Sequence, residues 1–74
     1  MSNASSCLRA AAHYTRRSQL AADADSRSNY AELARLWSDM AALAARFDRD
    51  RDEAAKAQIY ALMDEVGAVR RKVA

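Results

Sequence analysis

Large apolar side chains recur at helical spacing in two stretches of the chain and thin out between them. The stronger stretch is "YAELARLWSDMAALAARF", residues 30–47. With Tyr30 at heptad position a, the a and d positions are Tyr30, Leu33, Trp37, Met40, Ala44 and Phe47. Leu36 and Leu43 fill g, and Ala34 and Ala41 fill e, while Glu32, Arg35, Ser38, Asp39 and Arg46 take the opposite face. The stripe is wider than the a/d seam of a two-stranded coiled coil, so it predicts a helix with neighbours on two sides. The second stretch, Ala55, Ile59, Leu62, Val66, Val69 and Val73, alternates spacings of four and three, with Tyr60 and Met63 flanking it. It predicts a helix over 51–72. Gly67 weakens that helix by about 1 kcal/mol relative to Ala and suits either a close helix contact or the start of fraying.

The N-terminal pattern is weaker. Leu8, Ala11, Ala12 and Thr15 share one side, and Cys7, Ala10, Tyr14 and Ala21 a neighbouring one. Leu20 falls nearer Arg16 and Arg17. This reads as a helix over 5–23, packed by small residues and one tyrosine, with Ser5 or Ser6 as its cap. "DADSRSN", residues 23–29, is turn chemistry, because Asp, Ser and Asn side chains compete for their own backbone. The same residues are preferred N-caps, so the next helix should start near 25–28 and run over about 27–47.

"RFDRDRDEAAK", residues 46–56, holds neither Gly nor Pro. The apolar stripes on its two sides nevertheless differ in direction by roughly 85° at 100° per residue. Three charge pairs at i,i+4 (Arg46 with Asp50, Arg49 with Glu53, Asp52 with Lys56) favour an unbroken helix. Each contributes about 0.2–0.5 kcal/mol, whereas burying one large apolar side chain contributes about 1.5–3 kcal/mol. The phase argument therefore favours a turn near 47–51, with Asp50 and Glu53 at capping-box spacing. One continuous helix is the alternative.

Composition agrees with helix: 19 of the 74 residues are Ala, with one Gly and no Pro, against one Ile, three Val and one Thr. The expectation is an all-α single domain over 1–74, a helical hairpin extended to a three-helix bundle. A chain this short buries a small share of its surface, and such scaffolds often gain stability from disulfides, a metal or self-association. One Cys and one His supply neither a disulfide nor a four-ligand zinc site.

Charge changes the picture little. Twelve cations, ten of them Arg, face ten anions for a net +2, too balanced to argue for nucleic acid by itself. Arg and Ala together point first to a GC-rich coding bias. No stretch has the ~18 apolar residues of a membrane span, and the N-terminus lacks a signal-peptide h-region. The expectation is a cytoplasmic protein with a reduced Cys7. "SNA" at 2–4 resembles a tag remnant, although the preceding Met suits a natural start.

"LARLWSDMAALAARFDRDRD", preceded by "HYTRRSQLAADAD", resembles short Ala/Arg-rich helical bacterial proteins of unknown function. These carry an L-A-x-x-Y/W-x-x-L-A-x-x-A helix ending in charge. Leu33, Ala34, Trp37, Met40, Ala41 and Ala44 match, with Met40 in place of the usual Leu, and the resemblance covers residues 13–50. It implies a helical hairpin in a small bacterial protein and no activity.

The function classes narrow accordingly. Cys7 and His13 are six residues apart, nearly opposite on a helix, and Asp64 and Glu65 face different directions. There is no phosphate-binding Gly loop, no HExxH and no Glu-x-x-His pair. The reading is a non-enzyme with no catalytic or metal residues, no cofactor, no membrane partner and no small-molecule substrate. The first functional expectation is a protein-interaction or regulatory protein that forms a homodimer. Tyr30, Leu33, Leu36, Trp37, Met40, Leu43 and Phe47 would be its interface, because a stripe one chain leaves uncovered marks a contact surface. The alternative is a nucleic-acid accessory protein gripping phosphates through Arg9, Arg16, Arg17, Arg70, Arg71 and Lys72.

Overall fold

The computed structural model describes residues 3–73. It contains three helices: α1 (Asn3–Leu20), α2 (Ala24–Asp50) and α3 (Glu53–Val73). Only Ala21–Asp23 and Arg51–Asp52 connect them, and links this short force antiparallel neighbours. Both α1 and α3 therefore run against α2 and parallel to each other. The 27 residues of α2 span the 41 Å long axis of the molecule. Each outer helix packs on α2, yet no Cα of α1 lies within 8 Å of one in α3. The three-helix bundle is thus open where α1 and α3 would otherwise meet.

The helix boundaries correct several expectations. Ser5 and Ser6 lie inside α1 and do not cap it; of the supposed tag residues, Ser2 lies outside the described residues and Asn3 and Ala4 are helical. The turn in "DADSRSN" falls at its first residue: Asp23 has extended backbone and caps α2, accepting from the Ser26 backbone N–H at 2.7 Å and the Ser26 hydroxyl at 3.0 Å. Ser18 ties the same corner from α1, its hydroxyl donating to the Arg27 carbonyl at 2.8 Å. Helix α2 starts about one turn earlier than the pattern suggested.

At the other end the chain turns, and α2 runs three residues past Phe47 before it does so. Arg51 takes left-handed backbone, φ 54° and ψ 40°, and its N–H donates to the Phe47 carbonyl at 2.7 Å. This is the αL form of helix termination. Asp52 then caps α3, its Oδ1 accepting from the backbone N–H of Ala54 at 3.0 Å and of Ala55 at 3.4 Å. The expected Asp50–Glu53 capping box gives way to this single cap. The Phe47 ring is flanked by the Arg51 guanidinium and the Lys56 ammonium, each 5.8 Å from its centre. Of the three i,i+4 pairs, none forms; Arg49 instead pairs with neighbouring Asp50 at 3.3 Å.

Leu33, Leu36, Met40 and Val66 form the core, and the first three are at most 1% exposed. Helix α3 buries the face its spacing predicts, with Ala55 and Val66 covered and Ile59, Leu62, Val69 and Val73 packed against the core. Helix α1 buries no residue fully. It contributes Cys7 and Tyr14 to the core margin and leaves Leu8 55% and Leu20 75% exposed. The side of α1 that packs is the Cys7–Tyr14 side, not that of Leu8. Gly67 is neither a close contact nor a fraying point. The helix continues to Val73, and a Cβ at Gly67 would meet only the Arg71 side chain at 3.8 Å.

Candidate functional site

The wedge between α1 and α3 holds two concavities with different chemistry. The first lies where α1 and α3 begin and α2 ends. It is an open groove of about 420 Å³ with Trp37, Met40, Ala44 and Phe47 of α2 along its floor. Cys7 stands on the α1 wall, and Ile59, Tyr60 and Met63 on the α3 wall. Tyr60 and Met63 are 59% and 51% exposed, large apolar surfaces that this chain does not cover. Asp48 and Lys56 bring one charge of each sign to the groove. Burial pushes the Cys7 thiol above its usual pKa, which keeps it protonated and poorly nucleophilic at neutral pH. The Trp37 indole N–H is buried without an acceptor among the described residues.

The second concavity lies at the opposite end, where α1 and α3 finish and α2 begins. It is a cleft of about 320 Å³ lined by His13, Tyr14, Arg17, Tyr30, Leu33, Arg70 and Val73. Tyr14 and Tyr30 stack with ring centres 6.2 Å apart, and His13 meets Tyr14 edge-on at 5.0 Å. Arg17 donates through Nη2 to the Tyr30 hydroxyl at 3.2 Å and lies 5.3 Å from that ring's centre. The Tyr30 hydroxyl holds the Arg17 guanidinium above its already high pKa.

The seven residues expected to form one interface go to four places. Leu33, Leu36 and Met40 are consumed by the chain's own core, so they cannot anchor a second chain while the bundle is folded. Trp37 and Phe47 line the groove. Tyr30 joins the cationic cleft. Leu43 faces the other edge of α2, beside Leu62 and Gln58 in a shallow apolar depression. Tyr60 and Met63, noted in the sequence only as flanking a stripe, supply the exposed groove wall.

The six expected phosphate contacts do not form one stripe either. Arg17 and Arg70 share the cleft. Arg71 lies along its own helix above Gly67, and Lys72 acts on Glu32, whose carboxyl is held below the usual range mainly by its hydrogen bond with Arg35. Arg9 and Arg16 do not line the cleft. Cys7 and His13 stand in different concavities. Among the described residues, no group of three His, Cys, Asp or Glu side chains is placed to hold a metal, and no helix is long and apolar enough to cross a membrane. No protein-family model, curated protein or solved structure matches this chain.

Proposed function

We propose that the chain is a cytoplasmic, non-enzymatic interaction protein that acts as a homodimer, with the apolar groove as its self-association surface. The observation that carries this is the groove wall, where Tyr60 and Met63 remain more than half exposed beside Trp37 and Phe47. Large apolar side chains left exposed together in one groove favour a contact surface. A second copy of the chain is the occupant because of charge and size. A two-fold contact must be self-complementary, and the groove carries one acid and one base, Asp48 and Lys56. In such a pair, Asp48 of one copy would face Lys56 of the other. Among the described residues three large side chains are fully buried, Leu33, Leu36 and Met40, and pairing adds the apolar burial that a small bundle lacks.

Sedimentation velocity over a hundredfold concentration range tests this. Twice the 8.2 kDa chain mass is expected at the upper end, and Met63→Glu should hold the protein at the single-chain mass. Alkylation of Cys7 gives a second readout, since it should slow as concentration rises in the wild type and not in Met63→Glu. A single-chain mass throughout, with concentration-independent alkylation, overturns the homodimer.

A further inference from the structure

The cationic cleft at the far end of the bundle carries an inference that does not depend on self-association. Its charges come from helices whose backbones do not touch. Arg17 stands in the last turn of α1 and Arg70 in the last turn of α3. Cations are favoured there by the helix dipoles, and the parallel run of α1 and α3 delivers both to the cleft that Tyr30 lines. Among the described residues, nothing negative lines the cleft. The ion pairs among the described residues involve Arg35 and Arg49, not Arg17 or Arg70. Two guanidinium groups that line one concavity, with no carboxylate among its described lining residues, favour an anion between them.

We propose that this cleft binds a phosphoryl group, the terminal phosphate of a small phosphorylated molecule. Arg17 is positioned for it: the contact with Tyr30 fixes the guanidinium while occupying one N–H, and a guanidinium has five. Its remaining fork meets phosphate oxygens two at a time. The Tyr30 oxygen accepts from Arg17, which leaves its own O–H able to donate. Arg70 and His13 line the same cleft and add a second guanidinium and an imidazole to it. The ring faces argue against a single-stranded nucleic acid. Tyr14 lies against Tyr30, and Tyr30 carries Arg17, so neither offers the open stacking platform that unpaired bases require. The cleft volume, about 320 Å³, suits a small ligand.

The test is a titration of the full chain with inorganic phosphate, pyrophosphate and a nucleoside monophosphate, followed by two-dimensional NMR at constant ionic strength against chloride. Resonances of Arg17, Arg70, His13 and Tyr30 are expected to shift together and saturate. Arg70→Gln, which breaks no ion pair among the described residues, should weaken binding about tenfold or more, as loss of a charge-assisted hydrogen bond does. Arg17→Gln should do the same, with circular dichroism confirming its fold. Arg49→Gln, at the other end of α2, should leave affinity unchanged. Tighter binding of the nucleoside monophosphate than of phosphate would identify a nucleotide as the source, and equal binding a free phosphate. Chloride shifting the same resonances equally, or all Arg resonances moving alike, overturns the proposal. So does saturable binding of duplex DNA without any response to the small phosphates.

Discussion

Arg51 decides whether the chain turns or runs on as a rod, and two substitutions separate these outcomes by sign. Its φ of 54° is a conformation that costs an L-residue roughly 1–2 kcal/mol. Glycine escapes that cost but loses about 0.5–1 kcal/mol more backbone entropy on folding than alanine does. Arg51→Gly should therefore exceed Arg51→Ala in stability by about 0.5–1 kcal/mol. Both variants remove the guanidinium from the Phe47 ring, so that contact cancels in the comparison. In an unbroken helix the order reverses, with alanine favoured by about 1 kcal/mol. Thermal unfolding followed by far-UV circular dichroism resolves the difference, because 1 kcal/mol moves the midpoint by roughly 4–8 °C in a domain of this size. An alanine variant equal to or more stable than the glycine variant would refute the turn at Arg51. It would also remove the groove, which exists only because α3 folds back.

Leu36→Ala should cost about 2–5 kcal/mol in urea unfolding, as for a fully buried leucine, whereas Leu20→Ala should stay within about 0.5 kcal/mol; equal effects would contradict the packing of α2. Gly67→Ala should stabilise by up to about 1 kcal/mol, since the added Cβ meets only a flexible arginine at 3.8 Å; destabilisation would reveal a close helix contact there. Asp23 gives a pH prediction. The Ser26 backbone N–H, then its hydroxyl, lower the Asp23 pKa below the ordinary value of about 3.9. The unfolded chain then binds more protons, so this stabilisation is present above that value and disappears as pH falls through the folded-state pKa. The stability difference between wild type and Asp23→Asn should be largest near neutral pH and shrink in acid; a difference independent of pH would assign it to geometry alone.

The legible parts of the fold are those where one helix face meets one kind of neighbour. The α3 stripe from Ala55 to Val73 is apolar at every contact position, and it packs as its spacing predicts. The wide stripe on α2 announces two neighbours and has them. Helix α1 was harder because its apolar residues are spread around the axis. Its packing side follows from what α2 can accept, with small Ala and Cys side chains allowing close approach and Tyr14 stacking on Tyr30. Leu8, larger and more apolar than Cys7, is left outside. The caps at the two turns differ from those expected for a related reason. "DADSRSN" contains several equivalent capping residues; Asp23 takes the role through Ser26, and Ser18 of α1 holds the adjacent turn at the Arg27 carbonyl. At Arg51 no residue type signals positive φ. The available signal was Phe47 with cations four and nine residues later, which close over its ring once the chain turns.

The two concavities differ because the connectivity sorts chemistry by position along the outer helices. Short links make α1 and α3 parallel, so their beginnings share one end of α2 and their finishes share the other. The sequence places Cys7, Tyr60 and Met63 in the first halves and Arg17 and Arg70 in the last turns. Charge at a helix C-terminus follows from the dipole, but its convergence from two helices follows from topology. In the proposed homodimer, a two-fold axis through the groove would set the two cationic clefts away from the contact, and their repulsion would be screened over a Debye length of about 8 Å at physiological salt. The two proposals thus respond oppositely to ionic strength. Raising salt should weaken phosphate binding steeply and leave groove-mediated pairing, which is mainly apolar, nearly unchanged. Equal loss of both would mean that the same charged surface serves pairing and anion binding, and that the groove is not the contact.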